Sequence, residues 1–159
     1  MAKSALEKYQ SAPEPYVQVL DKAMPWALKG AKMVISSPPE IDRIIRKVPK
    51  GKVIRFEDLR LIISRKHQAD VTCPLTTGIF LNIASNAAEE QKSAGGKNPL
   101  AWWRALKGGD ELNPKAPGGV DAHRKYLEAE GINVITKPRG KKLIVADIDK
   151  YAVPISNLI

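Results

Sequence analysis

The segment 36–51 constrains the fold most strongly, because it encodes a helix with a defined start. Ser37 is followed by Pro38 and, three residues after the serine, by Glu40, which is the pattern of a capping box with proline in the first turn. Apolar residues then recur at helical spacing at Ile41, Ile44, Ile45 and Val48, before a proline and a glycine end the run. The segment therefore predicts an amphipathic helix that buries one face.

Two further helices are predicted before residue 92. The β-like run Val53–Phe56 leads into a helix over Glu57–Lys66, whose acidic start and basic end suit the helix dipole. A third helix begins near Thr72 and continues to about Gln91. Its apolar face is predicted to contain Leu75, Ile79 and Ile83, while three small polar residues face a groove on its other side; these are Thr76, Thr77 and Asn82.

The C-terminal part is predicted to contain one more helix and a basic hairpin. The helix runs from about Val120 to Glu130, and Gly131 follows it as a C-terminal cap. Strands at Ile132–Ile135 and Leu143–Val145 then flank a turn whose basic residues include Lys137, Arg139 and Lys141.

These elements together predict a fold that is mainly α with a small β hairpin, arranged as a winged helix-turn-helix. In such a unit the third helix enters a groove of DNA and the basic wing contacts phosphates. The domain is predicted over residues 36–159, and residues 1–35 form an N-terminal extension with short helices at Leu6–Gln10 and Tyr16–Ala23.

The net charge of +9 is concentrated in one part of the chain. Eleven basic and four acidic residues lie between Lys29 and Lys66, and they carry seven of the nine net positive charges. Clustered lysine and arginine suit a nucleic-acid partner, since they displace counterions from phosphates. A merely solvated surface is the alternative, and charge alone does not choose between them.

Other classes are disfavoured by composition. No apolar run is long enough for a transmembrane helix, and the first residues lack the apolar centre of a secretory signal. The single cysteine, Cys73, excludes an internal disulfide and a multi-thiolate zinc site, and two histidines are too few for a predicted metal centre. We expect a cytoplasmic monomer with no membrane contact, no metal and no cofactor.

Four stretches resemble the DNA-binding domain of the alkylguanine-DNA alkyltransferase family. Residues 41–56 are similar to its opening helix and following strand, and residues 76–86 resemble its recognition helix. The sequence Ala-Trp-Trp-Arg at residues 101–104 lies where the family has Pro-Cys-His-Arg. Residues 118–131 resemble its last helix, which ends in Leu-x-x-Glu-Gly. The resemblance covers about residues 38–135.

The resemblance also implies that this chain performs no alkyl transfer. The family attacks the alkyl group with a cysteine thiolate, which a histidine and the glutamate of the last helix activate. Trp102 stands at the cysteine position and Trp103 at the histidine position, and Glu130 alone matches. An indole neither accepts the alkyl group nor relays a proton at neutral pH. No catalytic residue is therefore assigned.

Alkyltransferase-like proteins of this family also lack the cysteine, and they bind alkylated guanine in DNA and mark it for repair proteins. By this resemblance Trp102 is an aromatic wall for a flipped base. The pocket is then formed by Trp102, Trp103, Arg104 and Glu130. The predicted partner is double-stranded DNA, alkylated or undamaged, together with repair proteins.

Other positions complete the predicted DNA-binding surface. Phe56 replaces a phosphate-contacting tyrosine, and the arginine that the family inserts into the duplex falls near Thr76 or Thr77. Either Asn86 or Asn98 matches the hinge asparagine. The whole predicted set is Lys50, Lys52, Arg55, Phe56, Thr76, Thr77, Asn82, Lys137, Arg139 and Lys141.

Several readings remain open at this point. A winged-helix nucleic-acid binder without lesion specificity is the first alternative function, and an alkyl acceptor that uses Cys73 is the second. The alternative for both tryptophans is core packing. Arg104 is expected to cap a carbonyl or to tie its loop to Glu130, and His123 is expected at the surface.

Overall fold

The computed structural model describes residues 3–159 and has a mixed α and β architecture. The helices are α1 (Ala5–Gln10), α2 (Pro38–Ile45), α3 (Phe56–Lys66), α4 (Pro74–Ser93), α5 (Gly119–Ala129) and α6 (Ile148–Tyr151). The strands are β1 (Tyr16–Val19), β2 (Lys32–Ile35), β3 (Val71–Thr72), β4 (Val134–Thr136) and β5 (Leu143–Val145). Short 3₁₀ turns cover Trp102–Arg104, Gly108–Asp110 and Ile155–Asn157. Within residues 3–159 no helix is long and apolar enough to cross a membrane.

Helix α2 begins as the sequence predicts. Ser37 Oγ accepts a hydrogen bond from the Glu40 backbone N–H at 3.3 Å, and prolines occupy the first turn. The Glu40 carboxylate is buried and accepts from Ser36 Oγ at 2.6 Å instead of completing the box. Burial raises the pKa of Glu40, but hydrogen bonds from Ser36 and His67 outweigh it, so the pKa lies below its ordinary value.

A three-stranded sheet, which the sequence did not predict, joins the N-terminal residues to the main body. Strand β1 pairs antiparallel with β2, and β2 pairs in parallel with β3. The first predicted short helix is present as α1, but the prediction of a helix over Tyr16–Ala23 is wrong. Its first residues, Tyr-Val-Gln-Val, favour a strand and find a partner in β2.

Helix α4 is the longest helix, and its buried face differs from the predicted one. Leu75 and Ile79, which were predicted to share the apolar face, are 62% and 55% exposed, so that face is not the buried one. The helix instead buries small side chains and one leucine, which allow close packing on α1 and α2; the buried residues are Thr77, Leu81, Ala84, Ser85, Ala87 and Ala88. Thr77 Oγ1 donates to the Cys73 carbonyl at 2.6 Å, so Thr77 does not face a groove.

The predicted C-terminal hairpin is present as β4 and β5. Its register pairs Val134 with Val145 and Thr136 with Leu143. Val134 and Val145 turn inward onto Leu106 and Leu127, in a core region next to the larger one between α2, α3 and α4. The hairpin tip therefore projects from an anchored base.

Candidate nucleic-acid interface

Arg104 ties the Trp102–Arg104 turn to the end of α5. Its Nη2 donates to Glu130 Oε2 at 2.9 Å and its Nε to Oε1 at 3.1 Å, which forms a two-pronged ion pair. Its Nη1 donates to the Val48 carbonyl at 3.0 Å. The expectation that Arg104 ties its loop to Glu130 and caps a carbonyl is confirmed.

The Glu130 carboxylate is fully engaged by neighbouring donors. Besides Arg104, it accepts from Trp103 Nε1 at 2.8 Å and from the Gly51 backbone N–H at 2.9 Å. Burial raises the pKa of Glu130, but the hydrogen bonds from Arg104, Gly51 and Trp103 outweigh it and hold the pKa below its ordinary value. Glu130 is therefore an ionised structural acceptor with no proton to relay.

Trp102 lies in the core, 2% exposed. Its Nε1 donates to Glu89 Oε1 of α4 at 2.9 Å, which satisfies the indole N–H and permits its burial. The rings of Trp103, His123 and Tyr126 enclose it, with centroids 5.4 to 5.8 Å away. Trp103 is half-buried and stacks on Tyr126 at 4.2 Å. The structure thus gives Trp102 core contacts where the resemblance implies the wall of a base pocket.

His123 is buried, so the prediction that it lies at the surface is wrong. Its Nδ1 accepts from the Asn113 backbone N–H at 3.1 Å, and its Nε2 donates to the Trp103 carbonyl at 2.8 Å. Burial lowers its pKa to about 4, against a smaller raising effect of the bond to Trp103. The neutral ring therefore clamps two loops together. Its position one helical turn before buried Leu127 was the signal for an inward face.

An open groove runs beside the first half of α4, and we call it the α4 groove. Its volume is about 650 Å³. One wall is α4 itself, with Leu75, Ile79 and Asn82, and the other is formed by two loops. Phe56 also lines the groove, and the loops bring the exposed Lys107 and Lys115 to it. The lining is thus largely apolar, with two lysines at the edge.

Asn113 fixes the loop wall of the α4 groove. Its Nδ2 donates to Asn82 Oδ1 on α4 at 2.7 Å, and its Oδ1 accepts from the Lys115 N–H at 3.0 Å. Its backbone N–H is held by His123. Sequence reasoning missed Asn113, Lys107, Lys115 and the outward role of Leu75 and Ile79. The turn-forming dipeptides Asn113-Pro114 and Gly108-Gly109 marked these loops but not their position.

The structure brings part of the predicted DNA-binding set to this groove. Phe56 and Asn82 line it. Arg55 donates to Asp110 at 3.2 Å, next to the Lys107 loop. Thr76 is half-buried, and within residues 3–159 its Oγ1 has no hydrogen-bond partner.

The remaining predicted residues lie elsewhere. Lys50 and Lys52 are exposed near the end of α5 and near α6, where Lys52 Nζ donates to the Lys150 carbonyl at 3.0 Å. Lys137 follows directly after β4, at the turn end of the hairpin, and pairs with Glu111 at 3.5 Å. Arg139 and Lys141 are exposed at the hairpin tip, and within the described part of the chain neither forms an ion pair.

Cys73, the alternative alkyl acceptor, lies away from the α4 groove. Cys73 is buried against Leu20 and Met33 and does not line the α4 groove. Among residues 3–159 no group of His, Cys, Asp or Glu side chains is arranged to hold a metal ion.

The fold and the site define a mixed α/β protein with an open, largely apolar groove and basic residues around it. No protein family model matches the chain, and no curated protein or solved structure shows significant similarity to it.

Proposed function

We propose that this chain is a non-catalytic DNA-binding protein of the alkyltransferase-like type, which holds an alkylated guanine for other repair proteins. The observation that carries the proposal is the α4 groove, in which exposed Leu75 and Ile79 face a space of about 650 Å³ beside lysines. This volume is in the range of small-molecule sites and accommodates one extrahelical base.

The proposed docking uses α3 and α4 as a helix-turn-helix and the β4–β5 hairpin as a wing. The exposed half of α4 faces a groove of the duplex, and its apolar side chains line the space that receives the extruded base. Lys107 and Lys115 lie at the groove rim and suit phosphate contacts. Arg139 and Lys141 at the hairpin tip suit a second phosphate contact.

The base itself is held by groove residues in this proposal. Phe56 offers an aromatic ring in the lining of the groove. The Oδ1 of Asn82 is engaged by Asn113, which leaves the Nδ2 amino group of Asn82 as a donor toward a guanine. An alkyl group on the base gains apolar contact with Leu75 or Ile79.

In this proposal the chain binds the alkyl group without accepting it. The lining of the α4 groove includes no cysteine, and Trp102 at the position of the family's nucleophile is enclosed by other rings. Glu130 is saturated by Arg104, Trp103 and Gly51 and so cannot serve as a base. The proposal is therefore one of non-covalent binding of the alkylated base.

The burial of Trp102 favours one alternative, a winged-helix DNA binder without lesion specificity. With Trp102 in the core, the aromatic wall implied by the resemblance is missing, and Phe56 is the aromatic residue that lines the groove. Such a protein binds damaged and undamaged duplexes equally and in a salt-sensitive way.

The test is a titration of two matched duplexes, one of which carries a single O6-methylguanine, at two salt concentrations. The native chain is expected to bind the modified duplex about tenfold more tightly, since one well-placed contact is worth that factor. Leu75→Glu introduces a carboxylate into the groove and is expected to abolish the preference. Leu28→Glu is the matched control, because Leu28 is also exposed and lies outside the groove.

Three outcomes contradict the lesion-binding proposal. Equal, salt-sensitive binding of both duplexes leaves the alternative without lesion specificity. Binding that Leu75→Glu and Leu28→Glu reduce to the same extent removes the α4 groove as the site. No binding to either duplex removes both functions.

A further inference from the structure

A second basic surface lies between α2, α3 and the C-terminal residues, and we call it the basic cleft. Its volume is about 400 Å³. Four basic side chains line it, namely Arg43 and Lys47 from α2 and Arg65 and Lys66 from α3. All four residues are exposed. A concave surface lined by charges of one sign focuses their field and attracts anionic partners.

The charges of the cleft are largely uncompensated. Lys66 pairs with buried Glu40 at 3.2 Å, but within residues 3–159 Arg43, Lys47 and Arg65 have no ion-pair partner. The acidic residues of α2 form no ion pairs with these three cations. Asp42 pairs with Arg46 and accepts from Tyr9, and Glu40 is buried and held by Ser36 and His67.

The floor of the basic cleft is aliphatic. Ile44 and Ile62 form it together with Leu158 and Ile159, and Ile159 is 70% exposed. An exposed isoleucine beside four cationic side chains offers an anchor for an apolar side chain. No aromatic residue lines the cleft, so it has no platform on which a nucleic-acid base could stack.

The cleft is separate from the α4 groove. Phe56 begins α3 and lines the α4 groove, whereas Arg65 and Lys66 end α3 and line the basic cleft. The 11 residues of α3 place the two sites about 15 Å apart along the helix axis. A duplex in the α4 groove therefore leaves the basic cleft open to another partner.

We propose that the basic cleft binds an acidic, amphipathic peptide segment of a partner protein. Its carboxylates pair with Arg43, Lys47 and Arg65, and its apolar side chains contact Ile159 and the isoleucines of the floor. Charge complementarity selects this occupant. A second copy of this chain carries a net charge of +9 and is repelled, and a DNA backbone leaves the aliphatic floor without a partner.

The test measures fluorescence anisotropy of a fluorescein-labelled twelve-residue peptide made of alternating Glu-Glu and Leu-Leu pairs, titrated with the full chain. Saturable binding is expected. The double variant Arg43→Glu/Arg65→Glu is expected to weaken it about tenfold or more, because two attractions become repulsions. The matched control is Lys22→Glu/Lys29→Glu, which changes the net charge equally at exposed positions outside the cleft.

Two further measurements separate the contributions of floor and charge. Ile159→Ser is expected to weaken peptide binding, and a peptide with serine in place of leucine is expected to bind weakly to the native chain. A fluorescein-labelled DNA duplex is titrated in parallel. The variant Arg43→Glu/Arg65→Glu is expected to weaken duplex binding no more than the control Lys22→Glu/Lys29→Glu does.

The proposal is overturned by any of three results. The first is that the peptide shows no saturable binding. The second is that the cleft variant and the control variant Lys22→Glu/Lys29→Glu weaken peptide binding equally. The third is a loss of duplex binding that is specific to Arg43→Glu/Arg65→Glu. The last result assigns the cleft to DNA. The proposal stands or falls independently of lesion binding, since the two sites have different variants and different probes.

Discussion

His123 shows how one buried side chain sets the shape of the candidate interface. Its ring joins the Trp103 carbonyl to the Asn113 N–H, and Asn113 in turn positions the loop wall of the α4 groove. The bond from Asn113 requires an unprotonated Nδ1, so the neutral ring is the one that fits. Protonation therefore opposes both folding and the groove geometry.

The stability of the chain is expected to fall as the pH decreases from about 6.5 toward 4. The His123 pKa is lowered to about 4 in the folded chain, so the unfolded chain binds more protons in this window. The loss amounts to about 2 kcal/mol between pH 7.5 and 5. Urea unfolding at several pH values measures it.

The control for this pH dependence is His123→Gln, which keeps a polar side chain but does not titrate. Its free energy of unfolding is expected to be lower at pH 7.5 and to depend less on pH between 7.5 and 5. The same slope in the variant and in the native chain would show that another group is responsible. Glu40 and Glu130, whose pKa values are lowered, contribute only at lower pH.

At the scale of single residues, sequence reasoning succeeded where the chemistry is local or sharply patterned. The Ser37 cap and the pairing of Arg104 with Glu130 were both expected and are both present. The role of Trp102 depended on distant groups. Glu89 on α4 supplies the acceptor for its indole N–H, and no spacing in the sequence reveals that contact.

At the scale of elements, the ion pair of Arg104 and Glu130 joins a loop to the end of a helix. Both side chains are mostly buried, with exposed fractions of 17% and 6%. The pair of Arg124 and Glu128 has the same charges but is 44% and 46% exposed. Burial, rather than the number of ion pairs, decides which pair matters for stability.

Glu130→Gln is expected to lower the free energy of unfolding by about 3 kcal/mol or more, because it leaves the Arg104 charge buried without a carboxylate. Glu128→Gln is the matched control on the same helix and is expected to cost less than about 1 kcal/mol. Chemical denaturation of both variants at neutral pH makes the comparison. Equal costs would contradict the structural role assigned to Glu130.

Helix α4 illustrates why an apolar stripe does not identify a buried face. The sequence pattern puts Leu75, Ile79 and Ile83 on one apolar face, yet the helix buries a face of small residues around Leu81. Alanine and serine pack closely against neighbouring helices, so the larger apolar residues near the start remain outside. The pattern of a single helix carries no information about which neighbours approach it.

At the scale of the whole molecule, the basic run between Lys29 and Lys66 is divided among several surfaces. Arg55 pairs beside the α4 groove, Lys50 and Lys52 lie near α6, and the residues of the basic cleft point elsewhere. The net charge therefore does not describe one continuous patch. Position in the fold decides which cations can contact one duplex.

The salt dependence of DNA binding is expected to reflect this division. If Lys107 and Lys115 at the groove and Arg139 and Lys141 at the hairpin tip contact phosphates, the slope of log Kobs against log salt concentration is about −3.6. Arg139→Ala/Lys141→Ala is expected to make the slope less negative by about 2. Duplex titrations from low to moderate salt measure both slopes.

The matched control for the salt dependence is Lys50→Ala/Lys52→Ala, which removes the same charge away from the groove. It is expected to leave the slope nearly unchanged. If Lys50→Ala/Lys52→Ala changed the slope more than Arg139→Ala/Lys141→Ala, the DNA would bind near α6 and not at the hairpin tip.

The order of α2 to α5 and the hairpin were predictable, because caps, breakers and periodicity are encoded locally. The sheet of β1, β2 and β3 was not, since it depends on pairing between distant segments, and β3 has only two residues. The groove was not predictable either, because its walls come from α4 and from loops that meet only in the folded chain.

The parallel pairing of β2 with β3 also constrains the order of events during synthesis. Strand β2 leaves the ribosome before α2 and α3, and its partner β3 follows only after both helices. Until then β2 has an unpaired edge on the side that β3 later covers, with β1 as its earlier neighbour. The sheet can therefore be completed only after residue 72 has been translated. The pairing of β2 with β3 depends on the folding of α2 and α3, which lie between these two strands in the chain.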